Sequence, residues 1–474
     1  MKVSAGSMQL ESIQIKNYRS IEDITFDINV LDDSSYTFGL IGVNEAGKSS
    51  ILKAMSLKDS LVALSPKDFN DKTKKIEVLY KYRLDETDGT EDFSALIDGD
   101  TTSTILTAHT FGSDDLVGFK ISFSLATPSV PIYEFLYSKK KSDLANAIQV
   151  AQPFFEKMHH TVFWTAKDEY LIAEAINLTA FAAKPEISIP LRNCFLLAGI
   201  EDIQTRVSSI SGDSTEKEEL EEQLGKAVTE HILAVWPGHP IKITFDIDGQ
   251  LINFHVKDAN VKGKAKTAGQ RSDGFKQFIS FLLTVSAQDR NDELENCLLL
   301  LDEPETHLHP KAQEDFLGEL KKITTNKRGN VVIFATHSNY MIDKVKLSRN
   351  FKVTKQNVST SIELINTENS TFASVNYDVF GISSSDYHSE LYCKLHQKFQ
   401  DADAADDNRE KLLEFDKVCL HTTHKQVKDR PWKGKTNQVT LPTYIRNCIH
   451  HSDNGDTYTQ NELKGSIEFM KAII

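Results

Sequence analysis

The sequence predicts an α/β fold organised around a phosphate-binding loop, and three segments carry that expectation. "YTFGLIGVNEAGKSSILKAM" (Tyr36–Met55) runs from an apolar strand through a glycine-bearing loop into a helical pattern. "CLLLLDEPETHLHP" (Cys297–Pro310) sends four consecutive leucines into Asp302 and Glu303, as a buried strand does where it surfaces. "NVVIFATHS" (Asn330–Ser338) is another apolar strand, ending in Thr336, His337 and Ser338.

Ahead of the loop, "LESIQIKNYRSIEDITFDI" alternates apolar and polar residues through Ile13, Ile15, Ile24 and Phe26, which reads as two strands around a turn near Arg19. In the loop, Gly42, Gly47, Lys48 and Ser49 fit G-x-x-x-x-G-K-[ST]. Backbone N–H groups of such a loop converge on phosphates, Lys48 reaches the β and γ phosphates, and the Ser49 hydroxyl ligates Mg²⁺. Asn44 and Ser50 stand in the same stretch and join the expected nucleotide contacts. A helix starting near Lys48 adds its N-terminal partial charge. A chain with this loop needs a second strand ending in an acid that holds Mg²⁺ through water, a role that suits Asp302. Adjacent Glu303 would then face the attacking water as general base. A histidine at a strand end, here His337, can hydrogen-bond a γ-phosphate.

The combination resembles the ABC-class ATPase heads, with Walker A at Gly42–Ser49, Walker B at Leu298–Glu303 and the switch histidine at His337. That resemblance implies ATP and Mg²⁺, a head-to-head homodimer, and a signature loop that binds the γ-phosphate from the opposite subunit. "AGQRSDGFKQFISFLL" (Ala268–Leu283) is similar to such a loop: Ser272 and Gly274 precede an amphipathic pattern of Phe275, Phe278, Ile279 and Leu282. "DEPETHLHP" with "RSDGF" and "ATHS" is similar to single-chain ATPases related to the OLD family and to RecF-like and SMC-like heads, many of which serve in prokaryotic defence against phage. The resemblance also implies that Arg19 in "KNYRS" approaches the nucleotide. It covers Gln9–Leu84 and His255–Val353. A transporter subunit would bring its two Walker motifs closer together and follow the first with a glutamine loop, which this sequence does not show.

The division expected is an N-terminal half of the head at residues 8–84, an inserted subdomain at 85–254, a C-terminal half of the head at 255–382 and a helical module at 383–474. Asp85–Leu125 alternates in strand fashion ("STILTAHT", "FKISFSLA"), and Asp143–Trp236 turns mainly helical, with Thr215 and Glu218 fitting a capping box. "IKITFDIDGQLINFHV" reads as a hairpin around Asp248 and Gly249. No long heptad array is present, so the insertion is a compact lid rather than an SMC arm. "VKGKAKTAGQR" sets Lys262, Lys264, Lys266 and Arg271 beside the signature loop, a solvated run or a phosphate contact. In the last module Thr459 and Glu462 can cap a final helix with Leu463, Ile467, Met470 and Ile474 on one face. No Toprim acid cluster of the kind found in full OLD nucleases is evident there.

One stretch of that module, "RNCIHH" (Arg446–His451), fits the R-N-x-x-x-H pattern of HEPN ribonucleases. Such a site would use His451 for acid–base work and Arg446 to stabilise the charged phosphorane, with Asn447 and His451, and likewise Arg446 and His450, sharing a helix face. A polar helix seam or a docking surface is the plainer meaning. His421 and His424 form H-x-x-H with no third ligand in view, which argues against a metal site.

Bulk properties bound the function. The 474 residues, 40% hydrophobic and 26% charged, suit two or three roughly 150-residue domains. The longest apolar runs, such as "FISFLLTV", fall far short of the roughly 20 residues of a membrane span, so no membrane role is expected. Met1–Ser7 reads as a non-native extension before a start at Met8. Five cysteines without C-x-x-C spacing point to a reducing cytoplasm. A net charge of -14 disfavours nonspecific coating of nucleic acid, though a local basic groove stays open. The function expected is an ABC-class ATPase that dimerises on ATP, forms a dimer or higher oligomer, and regulates a separately encoded effector nuclease, as in Septu-type antiphage pairs. Two alternatives stand beside it: an ATPase with its own HEPN-like ribonuclease, and a RecF-like DNA-repair ATPase that binds duplex DNA.

Overall fold

The computed structural model describes residues 8–474 except 29–33, 60–63, 85–115, 138–143, 145, 151–157, 166–170, 173–174, 211–213, 236–240, 259–265, 268–275, 277–278, 282, 285–295, 307, 326–328, 366–369, 403–411, 421–426, 433–434, 452 and 454. The chain divides into two compact units, Met1–Ile365 and Asn366–Ile474.

The first unit contains strands β1 (Met8–Tyr18), β2 (Ile21–Asp27), β3 (Thr37–Ile41), β4 (Ile76–Leu84), β5 (Leu116–Ser124), β6 (Thr127–Tyr137), β7 (Asn146–Val150), β8 (His160–Thr165), β9 (Ala175–Asn177), β10 (Ile241–Asp248), β11 (Leu251–Asp258), β12 (Lys266–Thr267), β13 (Cys297–Asp302), β14 (Val331–Thr336), β15 (Asn350–Gln356) and β16 (Ser359–Leu364). One six-stranded sheet, in the order β2-β1-β4-β5-β6-β7, is antiparallel throughout. A second, in the order β16-β15-β3-β14-β13-β8, is parallel except where β15 meets β16.

The leucine run explains itself in that second sheet. A central parallel strand is covered on both faces, so it reads as continuous apolar sequence rather than alternation. Leu298 and Leu300 enter one core with Phe26, Phe38, Ile333 and Phe351; Leu299 and Leu301 enter another with Val332, Phe334, Phe316 and Trp164. Each fully buried leucine contributes about 1.5–3 kcal/mol relative to exposure. The first core is shared with the antiparallel sheet and the helix Lys48–Met55. The second is closed by Leu220, Leu224, Val228 and Ile232 of the helix Ser214–Val235 and by the β10–β11 hairpin, whose Gly249 turns at φ 60°.

Two sequence expectations change here. The mainly helical reading of Asp143–Trp236 misses β8, which pairs in parallel with β13 at the edge of the central sheet. Its six residues begin and end in His160, Thr161 and Thr165, and a short edge strand carries little periodic signal. The helix meant to be capped at Thr215 starts one residue earlier, at Ser214, which puts Thr215 in its first turn. "STILTAHT" lies outside the described residues, whereas "FKISFSLA" belongs to β5 and the turn after it.

The second unit packs the helices Ser385–Asp401, Leu441–His450 and Gln460–Ile473 around Leu391, Tyr392, Phe415, Ile445 and Ile467. It is not wholly helical: β17 (Val427–Trp432) and β18 (Lys435–Thr440) form an antiparallel pair. Thr459 and Glu462 make the expected capping box. Leu463, Ile467 and Met470 are buried, whereas Ile474, the C-cap of that helix, is 42% exposed. Among the described residues no helix is long and apolar enough to cross a membrane.

Candidate functional site

Parallel pairing brings three strand ends to one edge. Thr336 stands opposite Ile41, and Asp302 opposite Ala335, so the carboxyl ends of β3, β14 and β13 lie side by side. Such an edge is where open α/β sheets bind ligands.

From β3 the chain enters the glycine loop. Gly42 is required by packing: a Cβ there would lie 2.5 Å from the Val353 carbonyl oxygen on β15. Gly47 turns at φ 107°, in the left-handed region that favours glycine, and a Cβ on it would meet Thr360 Oγ1 at 2.3 Å. The helix that follows has no side-chain cap and no acid in its first turn, which leaves its leading N–H groups for an anion. Lys48 is buried and donates from Nζ to the carbonyls of Gly42 (2.8 Å) and Val43 (2.9 Å), arching the loop over its own side chain. Burial lowers its pKa, and the nearby charges of Glu303, Asp302 and Glu305 act the other way.

Across from the loop, Ser49 Oγ donates to Asp302 Oδ1 at 2.8 Å. Burial raises the Asp302 pKa, and this hydrogen bond opposes the rise. The two oxygens are hard donors of the kind Mg²⁺ takes, on a serine and a carboxylate already within one coordination sphere of each other. Glu303 leaves the strand in left-handed backbone (φ 51°), its N–H donating to Ala335 O at 3.0 Å. Its Oε1 lies 3.3 Å from His337 Nδ1, and both side chains are partly open to solvent.

The structure thus brings Gly42, Gly47, Lys48, Ser49, Asp302, Glu303 and His337 to one place. A cleft of about 270 Å³ opens there, lined by Ser20, Asn44, Glu45, Lys48, Ser50, Glu303 and others. Arg19 is turned elsewhere in this conformation: its Nε donates to Asp68 Oδ1 at 2.8 Å and its guanidinium lies over the Tyr18 ring, while its neighbour Ser20 lines the cleft. Ser272 and Gly274 lie outside the described residues, as do Lys262, Lys264, Arg271, His421 and His424.

Sequence reasoning missed Ser20, Glu45 and Lys355 as lining residues. Lys355 arrives on the β15–β16 hairpin, which no loop motif announces. That hairpin braces the phosphate loop: Ser20 Oγ bonds Thr360 Oγ1 (2.8 Å), and Thr360 Oγ1 donates to Ala46 O (3.2 Å).

In the second unit, Arg446 and Asn447 are half-buried on the helix Leu441–His450, and Arg446 Nη1 donates to Asn447 Oδ1 at 3.1 Å. The helix ends at His450, and His451 is its C-cap at φ −136°, with its N–H still donating to Asn447 O at 2.9 Å. His450 is exposed, and its pKa is lowered by partial burial and by the Arg446 and His451 charges.

Comparison with known proteins matches residues 8–187 to a family model described as an AAA ATPase domain. Residues 206–343 match another, described as an AAA domain, putative AbiEii toxin, Type IV TA system. An uncharacterized protein, MJECL43, of Methanocaldococcus jannaschii is 26% identical over 114 residues, which are 23% of this chain and 29% of that protein. The chain therefore spans less than a third of that relative's length. Among solved structures, an Smc head domain with an extended coiled coil, bound to the C-terminal domain of ScpA derived from Pyrococcus furiosus, matches with 13% identity, TM-score 0.42, over 76% of this chain and 97% of that one. The SMC head domain from Thermotoga maritima matches with 10% identity and TM-score 0.38, over 76% and 100%. The phosphate loop thus lies in the segment that matches the AAA ATPase domain model, and the paired acids and His337 lie in the segment that matches the second AAA domain model.

Proposed function

We propose that the chain hydrolyses ATP between two copies of itself and uses that cycle to control a separately encoded effector nuclease in the cytoplasm, in defence against phage. The observation that carries the catalytic part is the meeting of Ser49 with Asp302 at the mouth of the glycine loop, with Glu303 and His337 beside it. ATP phosphates would lie on the loop N–H groups and Lys48, with Asn44 and Ser50 beside them. Ser49 and Asp302 would hold Mg²⁺, which when bound supplies positive charge to the β- and γ-phosphate oxygens. Glu303 takes the proton of the attacking water, and His337 donates to the γ-phosphate. Ser272 and Gly274 of one copy complete the site of the other. The toxin–antitoxin setting in the description of the model matched at 206–343 supports the defence side of this reading.

Glu303→Gln tests it. The variant keeps ATP binding, loses hydrolysis by roughly 10²-fold or more, and elutes as an ATP-bound dimer in size-exclusion chromatography. Lys48→Ala instead loses ATP affinity and stays monomeric with ATP. Normal turnover by Glu303→Gln would remove the general base and overturn the mechanism.

A further inference from the structure

The loop after β13 carries a second acid that the mechanism does not use. Glu305 is 1% exposed, three residues beyond Asp302. Its Oε1 accepts a hydrogen bond from Thr336 Oγ1, and its Oε2 has no hydrogen-bond partner among the described residues. Thr336 is the last residue of β14, immediately before His337.

The bonding continues on the other side of that histidine. Ser338 N donates to Thr336 Oγ1 at 2.9 Å, and Ser338 Oγ donates to Gln313 Oε1 at 2.5 Å. Gln313, on the helix Pro310–Thr325, donates from Nε2 to Leu308 O at 2.8 Å, and Leu308 N donates to Glu305 O at 2.9 Å. The path Glu305, Thr336, Ser338, Gln313, Leu308, Glu305 is a closed ring of hydrogen bonds. His337 sits between two of its members, and Glu303 stands two residues ahead of a third.

We infer that Glu305 is a positioning residue for ATP hydrolysis: with Thr336, Ser338 and Gln313 it clamps the loop bearing Glu303 to the strand end bearing His337, and so keeps those two groups in register. The inference rests on the ATPase reading. Its physical basis is that Glu303 and His337 are themselves partly exposed and touch only at 3.3 Å, so their own contact is too weak to fix two loops. A buried hydroxyl–carboxyl bond inside a ring with a defined geometry does that better, because leaving any member unpaired out of water carries a penalty. Burial pushes the Glu305 carboxyl up to about 7, so the neutral acid, which tolerates the unpartnered oxygen, is well populated near neutrality.

The test is a double-mutant cycle read in kcat and KM for ATP. Glu305→Ala lowers kcat by roughly 10- to 100-fold, the scale on which a displaced catalytic group loses rate, and leaves KM within about twofold because the phosphate loop is untouched. Glu305→Gln, which still accepts from Thr336, recovers most of that loss. Combined with His337→Ala, Glu305→Ala adds little further loss, since it acts through the histidine. Losses that multiply, or a KM effect equal to the kcat effect, overturn the proposal. Should Glu305→Ala fail to fold, Gln313→Leu on the half-buried side of the ring decides: a lower kcat at unchanged KM supports the clamp, and an unchanged kcat overturns it. A wild-type chain that does not hydrolyse ATP refutes the ATPase reading, and the proposal with it; an active wild type with active Glu305→Ala refutes the clamp alone.

Discussion

On one side of the cleft the phosphate loop closes on itself: Lys48 bonds the Gly42 and Val43 carbonyls six and five residues back, and two glycines permit the turn and the close approach of its neighbours. On the other side nothing local holds Glu303 and His337 together. They are 34 residues apart in the sequence, come from different strands, and are kept in place by parallel register and by the ring through Glu305, Thr336, Ser338 and Gln313. The loop side is therefore a matter of backbone shape and the acid side of long-range hydrogen bonding. Substitutions that add atoms damage the first, and substitutions that remove polar atoms damage the second.

The largest effect expected from that difference is at Gly42. A methyl group there meets a backbone oxygen at 2.5 Å that cannot swing away, so either the loop or β15 must move. Overpacking of this kind costs about 1–3 kcal/mol, and Gly42→Ala weakens ATP binding by roughly 10- to 100-fold, measured by titration with a fluorescent ATP analogue. Gly318→Ala is the contrast: in the interior of the helix Pro310–Thr325 its Cβ would meet nothing within 4 Å, and the substitution stabilises the chain by about 0.5–1 kcal/mol. Equal ATP affinities for wild type and Gly42→Ala would show that the loop or β15 yields to the added methyl without disturbing the phosphate site, and that packing against Val353 does not require the glycine.

This contrast also explains what could be read from the sequence. The loop glycines, Lys48 and Ser49 stand within eight residues, and the paired acids follow a strand whose unbroken leucines can only mean cover on both faces. Local order fixed both, so both were legible. The bracing of the loop was not: Thr360 reaches Ala46 across 314 residues, and its hairpin alternates like any other exposed strand pair. β8 was missed because an edge strand of six residues with polar ends gives too few repeats to outweigh the helical sequence around it. Glu305 was visible only as part of "DEPETHLHP". Its burial follows from where the loop folds back on β14, which depends on tertiary packing.

A pH series sharpens the acid side. The folded-state pKa of Glu305 is raised by burial to about 7, with the Thr336 hydrogen bond opposing and the charges of His337 and Glu303 contributing less. Between the ordinary carboxyl range and 7 the folded chain holds a proton that the unfolded chain has released, so stability from this group is present below about pH 4.5 and lost as pH rises to 7. Glu305→Gln removes the dependence, and its urea midpoint relative to wild type rises between pH 5 and 8 by the equivalent of about 1–2 kcal/mol. His159 gives the opposite slope. It is buried against Tyr82 with Nε2 2.9 Å from Gly329 O, and burial lowers its pKa to about 4. Below the ordinary histidine pKa of 6.5 the unfolded chain takes up a proton the folded chain refuses, so stability falls from pH 6.5 toward 4. His159→Gln gains on wild type as pH falls through that window. A Glu305→Gln midpoint that tracks wild type at every pH would show that burial does not raise this carboxyl's pKa in the fold.

The smallest effect tests whether the loop side is as self-sufficient as its local bonds suggest. Thr360 Oγ1 accepts a hydrogen bond from Ser20 Oγ and donates one to the Ala46 carbonyl, and it fills the space a Gly47 side chain would need. Thr360→Val keeps that shape while leaving Ala46 O and the Ser20 hydroxyl to find water in a tight corner. One lost hydrogen bond of this sort is worth about 0.5–1.5 kcal/mol, and part of it appears as a few-fold weaker ATP affinity because Ala46 lies within the loop itself. Ser20→Ala breaks the same chain one step further from the loop and has the smaller effect of the two. The order matters more than the sizes: if Ser20→Ala weakens nucleotide binding more than Thr360→Val, Ser20 acts on the nucleotide directly from its place in the cleft wall, and the hairpin is not the brace. If neither changes affinity, the loop holds its shape without β15 and β16, and the contrast between its two sides is complete.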